Sequence, residues 1–140
     1  MSETSVPAAG APTTTGDPAE VELRLPADGA YASVLRTLTA GLAARLDFTM
    51  DDIEDLRIAV SEAAAMVLEQ AAEGSVLDCR FGLQPGQLAI SIGATVDSPA
   101  EPDYESFGWQ VLATLAAEAA IDTTPDSYAV RLTLRTSLES

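Results

Sequence analysis

Val21-Glu22-Leu23-Arg24-Leu25 alternates strictly between apolar and polar positions, which predicts a half-buried strand ended by Pro26. Asp28 can cap a helix reaching Leu46, with Tyr31, Leu35, Leu38, Leu42 and Leu46 at helical spacing on one face. After a short break at Asp47-Phe48, Thr49 followed by Asp52 resembles a capping box with Asp in the third position. That opens a second helix to about Ala72, whose apolar face takes Ile53, Leu56, Val60, Ala63, Val67 and Ala71, with Gly74 as its stop. Residues 76–83 and 87–94 read as strands joined by the turn Gln84-Pro85-Gly86. A polar loop with two prolines runs to about Glu105. Ser106 caps a third helix in which Trp109, Leu112, Leu115 and Ala116 share a face. A strand at 119–122, a turn at Thr124-Pro125-Asp126 and alternating Tyr128, Val130, Leu132 and Leu134 complete the order β-α-α-β-β-α-β-β. Strands that do not repeat as βαβ units predict an α+β fold, a mixed or antiparallel sheet with helices packed on one face.

Residues 1–19, rich in Pro, Thr, Ala and Gly, have no hydrophobic period and are expected to form a disordered tail before a single domain at 20–137. The first twenty residues lack a positive region followed by an apolar one, and no run approaches the ~18 apolar residues of a membrane helix. A cytoplasmic protein without a membrane segment is the expectation. A formal net charge of −15 excludes neutralisation of nucleic-acid phosphates and suits a basic protein partner. The single cysteine, Cys79, permits no intramolecular disulfide, and the absence of histidine makes a zinc site unexpected.

Chemistry concentrates in Val60-Ser61-Glu62-Ala63, on the second helix. It resembles the nucleotide-site helix of the RsbW-like anti-sigma factors, actinobacterial UsfX-like proteins included, which are small members of the GHKL (Bergerat-type) ATP-binding superfamily. Leu35-Arg36-Thr37-Leu38, Asp55-Leu56-Arg57 and Phe107-x-Trp109-x-Val111-Leu112 also match, so the resemblance covers about Val21 to Thr136. It implies a GHKL-type sandwich. In kinase members of that family, a glutamate at the Glu62 position is the general base and an asparagine four residues on holds the magnesium of ATP. Here that asparagine is Met66, and the histidine that follows is Gln70. A hard Mg²⁺ ion takes oxygen ligands, and a thioether is a soft, weak donor. The family's adenine-binding Asp-x-Gly falls on Ala94 and Val96, and its phosphate-binding Gly-x-Gly keeps one glycine, Gly108. The lid between these motifs is short.

Three of four features needed for nucleotide chemistry are absent or damaged. The residues therefore point to no cofactor, no metal and no catalysis, with Glu62 vestigial and Met66 filling the old metal site. The resemblance implies an anti-sigma factor that sequesters an alternative sigma factor and is released by partner switching with a STAS-type anti-anti-sigma protein. It also implies a homodimer and a partner contact at Arg36. Two alternatives stay open: an active ATP-dependent serine kinase of the anti-anti-sigma factor, and a GHKL relic that regulates another signalling partner. Trp109 is expected to be a core or half-buried aromatic at a helix start, and Cys79 a buried, inert thiol. The run Asp51 to Asp55 reads as a helix start matched to the dipole.

Overall fold

A computed structural model of the chain describes residues 19–137. The tail expected at 1–19 lies outside the described residues except for Ala19, which is already the first residue of a strand. In chain order the elements are β1 (Ala19–Pro26), α1 (Ala32–Arg45), α2 (Met50–Gln70), β2 (Val76–Gln84), β3 (Gln87–Thr95), α3 (Phe107–Leu115), β4 (Glu118–Thr124) and β5 (Ser127–Arg135). The order β-α-α-β-β-α-β-β is as the pattern predicts. The five strands form one sheet, β1-β2-β3-β5-β4, and every pairing is antiparallel, so the sheet is not mixed.

Alternation along each strand sends one set of side chains inward. Leu77, Cys79 and Phe81 of β2, Leu88, Ile90 and Ile92 of β3, and Val130, Leu132 and Leu134 of β5 are buried on that face. They meet Leu56, Ala59, Val60, Ala63, Ala64 and Val67 of α2, together with Leu35, Leu42 and Ala43 of α1. Three alanines on the buried face of α2 allow the helix to lie close to the sheet. The stripe of α1 is rotated from the sequence expectation. Leu35, Thr39, Leu42 and Ala43 are buried, whereas Tyr31 is exposed and Leu38 and Leu46 only partly covered. The Thr39 hydroxyl can turn inward because it donates to the carbonyl oxygen of Leu35 at 2.8 Å, leaving no unpaired polar group.

The opposite face of the sheet is open. Four of the seven arginines stand there (Arg24, Arg80, Arg131 and Arg135), among Glu20, Glu22, Asp78, Glu118 and Asp122. Cross-strand and diagonal pairs follow, Arg80 with Glu22 at 3.5 Å, Arg135 with Glu118 at 3.7 Å, and Arg131 with Asp122. Positive and negative groups nearly balance on this face. The excess negative charge of the chain therefore sits mostly on the helices and loops.

Turn chemistry fixes the hairpins. Pro85-Gly86 joins β2 to β3, with Gly86 at φ 73°, a region open to glycine without strain. Pro125-Asp126 joins β4 to β5. Asp28 does cap a turn, but a 3-10 turn at Gly29–Tyr31 that precedes α1. Gly74, at φ 78°, belongs to the connection after α2 rather than to its cap, which is Ala71.

The capping box forms as the sequence predicts: Thr49 Oγ1 accepts from the Asp52 amide at 3.0 Å, and Asp52 Oδ2 accepts from the Thr49 amide at 3.4 Å. The same carboxylate oxygen accepts from the Ser137 amide at 2.8 Å and its hydroxyl at 2.9 Å, which ties the chain after β5 to the start of α2. Burial pushes the Asp52 pKa up, but the hydrogen bonds from Ser137 and Thr49 outweigh it and the net shift is downward from 3.8. The carboxylate thus stabilises the fold fully above its unfolded pKa, and this is lost as pH falls through the lowered folded value. Asp52→Ala is expected to cost about 1–2 kcal/mol at neutral pH. Urea midpoints at pH 7 and pH 3 check this, and a gap to wild type that does not narrow at pH 3 removes the carboxylate's role.

Candidate functional site

Glu62 and Met66 are one helical turn apart on α2, so their side chains share a face and reach towards the start of α3. Ser106 begins α3 by accepting the Trp109 amide on its Oγ at 3.2 Å, which sets Gly108 in the first turn. A Cβ built on Gly108 would stand 3.3 Å from Glu62 Oε1 and 3.3 Å from both Cγ and Sδ of Met66. A larger residue here would press on the two side chains of α2 that lie against it, each of which would have to shift by a few tenths of an ångström. Ala94, at the end of β3, and Val96 just beyond it are buried and belong to the hydrophobic core. Met66 packs against the same core.

The sequence-derived positions thus fall into two groups. Glu62, Met66 and Gly108 come together, with Ala94 and Val96 in the adjoining core. Arg36 stands apart on α1, partly exposed and without an ion pair among the described residues.

Where the resemblance would place a magnesium ligand stands the Met66 thioether, beside Gly108 of α3, and where it would place the adenine acceptor stands the buried methyl group of Ala94. Among the described residues no group of three or more His, Cys, Asp or Glu could hold a metal ion.

The loop from Val96 to Ser106 shows features that the sequence did not disclose. Gln70, standing where the family's histidine would, accepts the Ala100 amide on its side-chain oxygen at 3.2 Å and so fastens the loop to the end of α2. Tyr104 packs edge-on against Trp109, with ring centroids 4.9 Å apart and planes at 76°. Trp109 is half-buried as expected. Phe107, at the start of α3, is 76% exposed. Only the Ser106 cap and the aromatic residues themselves signalled this cluster in the sequence, and their relation depends on the path of the loop.

Tyr128, buried on β5, has its pKa raised by burial and then by the negative charge of Glu69, with a smaller effect from Tyr104. It stays a neutral phenol. Cys79 has its thiol pushed up to about 12 by burial and then by the neighbouring Asp78, which leaves it protonated and unreactive at neutral pH.

The chain is 36% identical over 75 residues to the serine-protein kinase RsbW of Bacillus thuringiensis (strain Al Hakam), and equally so to RsbW of Bacillus cereus (strain AH820) and of Bacillus anthracis. The aligned part is 52% of this chain and 47% of each relative, so the chain spans about half the length of the curated relatives it matches. This homology bears out the resemblance read from the α2 motif. The fold matches the crystal structure of the RsbU and RsbW domains of Rv1364c from Mycobacterium tuberculosis, with a TM-score of 0.67 and 19% identity. That match covers 84% of this chain and 32% of the other, and it shows the fold alone. No family model matches the chain. No helix among the described residues is long and apolar enough to cross a membrane.

Proposed function

We propose that this protein is a stoichiometric anti-sigma factor. It holds an alternative sigma factor by direct binding, without catalysis, and is released when a STAS-type anti-anti-sigma protein competes for an overlapping surface. The homology to RsbW supports the class of partner. The observation that carries the non-catalytic reading is the filled site: Met66 lies against Gly108, and Ala94 and Val96 are absorbed into the core. Phosphoryl transfer depends on positioning and on metal-assisted electrostatics, and this site offers neither. Glu62 is then a packing neighbour of Gly108 rather than a base. The relatives are named serine-protein kinases, so an active kinase is the reading this proposal has to displace.

Helix α1 supplies a contact surface. Tyr31, just before it, and Val34 are 41% and 44% exposed, and Ser33, Val34, Thr37 and Leu38 line a shallow depression. Arg36 lies on the other flank and is free to meet a carboxylate of the partner. A homodimer assembled through another face is part of the same proposal, and the nearly charge-balanced open sheet is the surface best suited to a second copy of so acidic a chain.

The purified protein is expected to stop run-off transcription by its cognate sigma factor at near-equimolar ratio. Arg36→Glu should weaken that binding on the order of 2 kcal/mol if the contact is buried, because it removes a charge-assisted bond and adds repulsion. Transcription that continues undiminished with saturating wild-type protein, against each alternative sigma factor of the organism, would refute the sequestration. Unchanged calorimetric affinity in the variant would assign Arg36 to the solvated surface.

A further inference from the structure

Nothing on the α1 surface accounts for the aromatic group at the start of α3. Phe107 is 76% exposed and Tyr104, three residues before it, 52% exposed, while Trp109, which Tyr104 packs against, is half-buried. Large apolar side chains exposed together on a small domain mark a contact surface more often than isolated ones do. Trp109 also packs against the hydrophobic core, so Tyr104 and Phe107 are the rings left open to a partner. The same stretch of chain carries the exposed carboxylates Glu101, Asp103 and Glu105, and Glu69, exposed on α2, raises the pKa of Tyr128 together with Tyr104. None of these four has an ion-pair partner among the described residues. Between Arg80 and Arg131 the sequence holds no basic residue at all.

We infer that this surface binds an arginine-bearing, cationic segment of a protein partner. A guanidinium group stacks on aromatic faces and meets carboxylates through paired hydrogen bonds, so it matches both components of the surface at once. Other occupants fit less well. Residues 1–18 of this chain carry Glu3 and Asp17 and no basic side chain, and a second copy brings the same negative charge. Nucleic acid and anionic lipid are repelled by the same carboxylates. The inference extends the binding reading above to a second contact, distinct from α1, and gives the chemistry of what docks there. Gln70 contributes by holding the loop against α2, so that the aromatic side chains stand on a fixed support.

The full chain can be titrated with an eight-residue peptide of alternating arginine and leucine, at physiological ionic strength, while the fluorescence of Trp109, the single tryptophan, is followed. A saturable change is expected, weaker with lysine in place of arginine and absent with glutamate. The double variant Tyr104→Ala, Phe107→Ala alters only exposed side chains and should fold, which circular dichroism checks. It should lose affinity about tenfold or more. Binding followed by calorimetry, which does not depend on the reporter, must show the same loss. Failure of the arginine peptide to saturate, or equal binding by the double variant, overturns the inference, the second because it would reflect attraction to net charge alone. Inhibition of sigma-dependent transcription without peptide capture sinks this inference and leaves the sequestration standing. Peptide capture without inhibition does the reverse.

Discussion

Mg·ATP added to millimolar concentration is expected to leave the Trp109 fluorescence flat, to transfer no phosphoryl group to an anti-anti-sigma protein, and to leave the affinity for a sigma factor unchanged. Trp109 lies one residue past Gly108, beside the place where a nucleotide phosphate would meet the first turn of α3. It therefore reports occupancy directly. On the proposed non-catalytic reading two losses act together. The position the resemblance gives to the adenine acceptor is the buried methyl group of Ala94, and that of the metal ligand is the Met66 thioether, 3.3 Å from where a Gly108 Cβ would be. Each loss should weaken binding several-fold or more, since polar groups of the ligand would be left unpaired in a partly dry site. Met66→Asn alone should not restore activity, because Ala94 and Val96 remain. A saturable response below millimolar ATP, or labelling of the partner, would return the protein to the kinases whose name its relatives bear.

Phe81→Ala should remove about 3–5 kcal/mol of folding stability. Phe81 is fully buried on the inner face of the sheet, opposite Val21 of β1 and Ile90 of β3, and is among the largest side chains of the core. With a urea dependence of roughly 1–3 kcal/mol/M for a domain of this size, the midpoint should fall by more than about 1 M. Met50→Ala, at an exposed position in the first turn of α2, serves as the comparison and should change the midpoint little. Equal midpoints for the two variants would mean that the core is looser than its packing indicates.

Strands and hairpins were legible because side-chain alternation and the Pro-Gly and Pro-Asp turns are local properties. The start of α2 was legible for the same reason, since Thr49 and Asp52 carry their own hydrogen-bonding geometry. The buried face of α1 was legible in part. Leu35 and Leu42 are buried and Leu38 and Leu46 pack against the core, as their spacing predicts, whereas Tyr31 is exposed and Thr39 and Ala43 turn inward where only packing sets the edge of the face. The positions Glu62, Met66, Ala94, Val96 and Gly108 could be named one by one from the motif. That Glu62 and Met66 lie directly against Gly108 could not, because it depends on the approach of two helices far apart in sequence. The anchoring of the loop by Gln70 and the position of Tyr104 were hidden by the same long-range geometry.

The separation of charge between the two sides of the sheet bears on how partners arrive. Four arginines neutralise the open face, while the helices and loops keep most of the negative charge, so the molecule has a large electric dipole directed through its sandwich. A cationic partner approaching from solution is turned by this field before any side chains touch, and it reaches the helical side first. At physiological ionic strength the field decays over about 8 Å, so this orientation acts in the last layers of water before contact. Capture of a scarce partner is then limited less by rotational search than it would be for an evenly charged domain, and it slows as salt is raised.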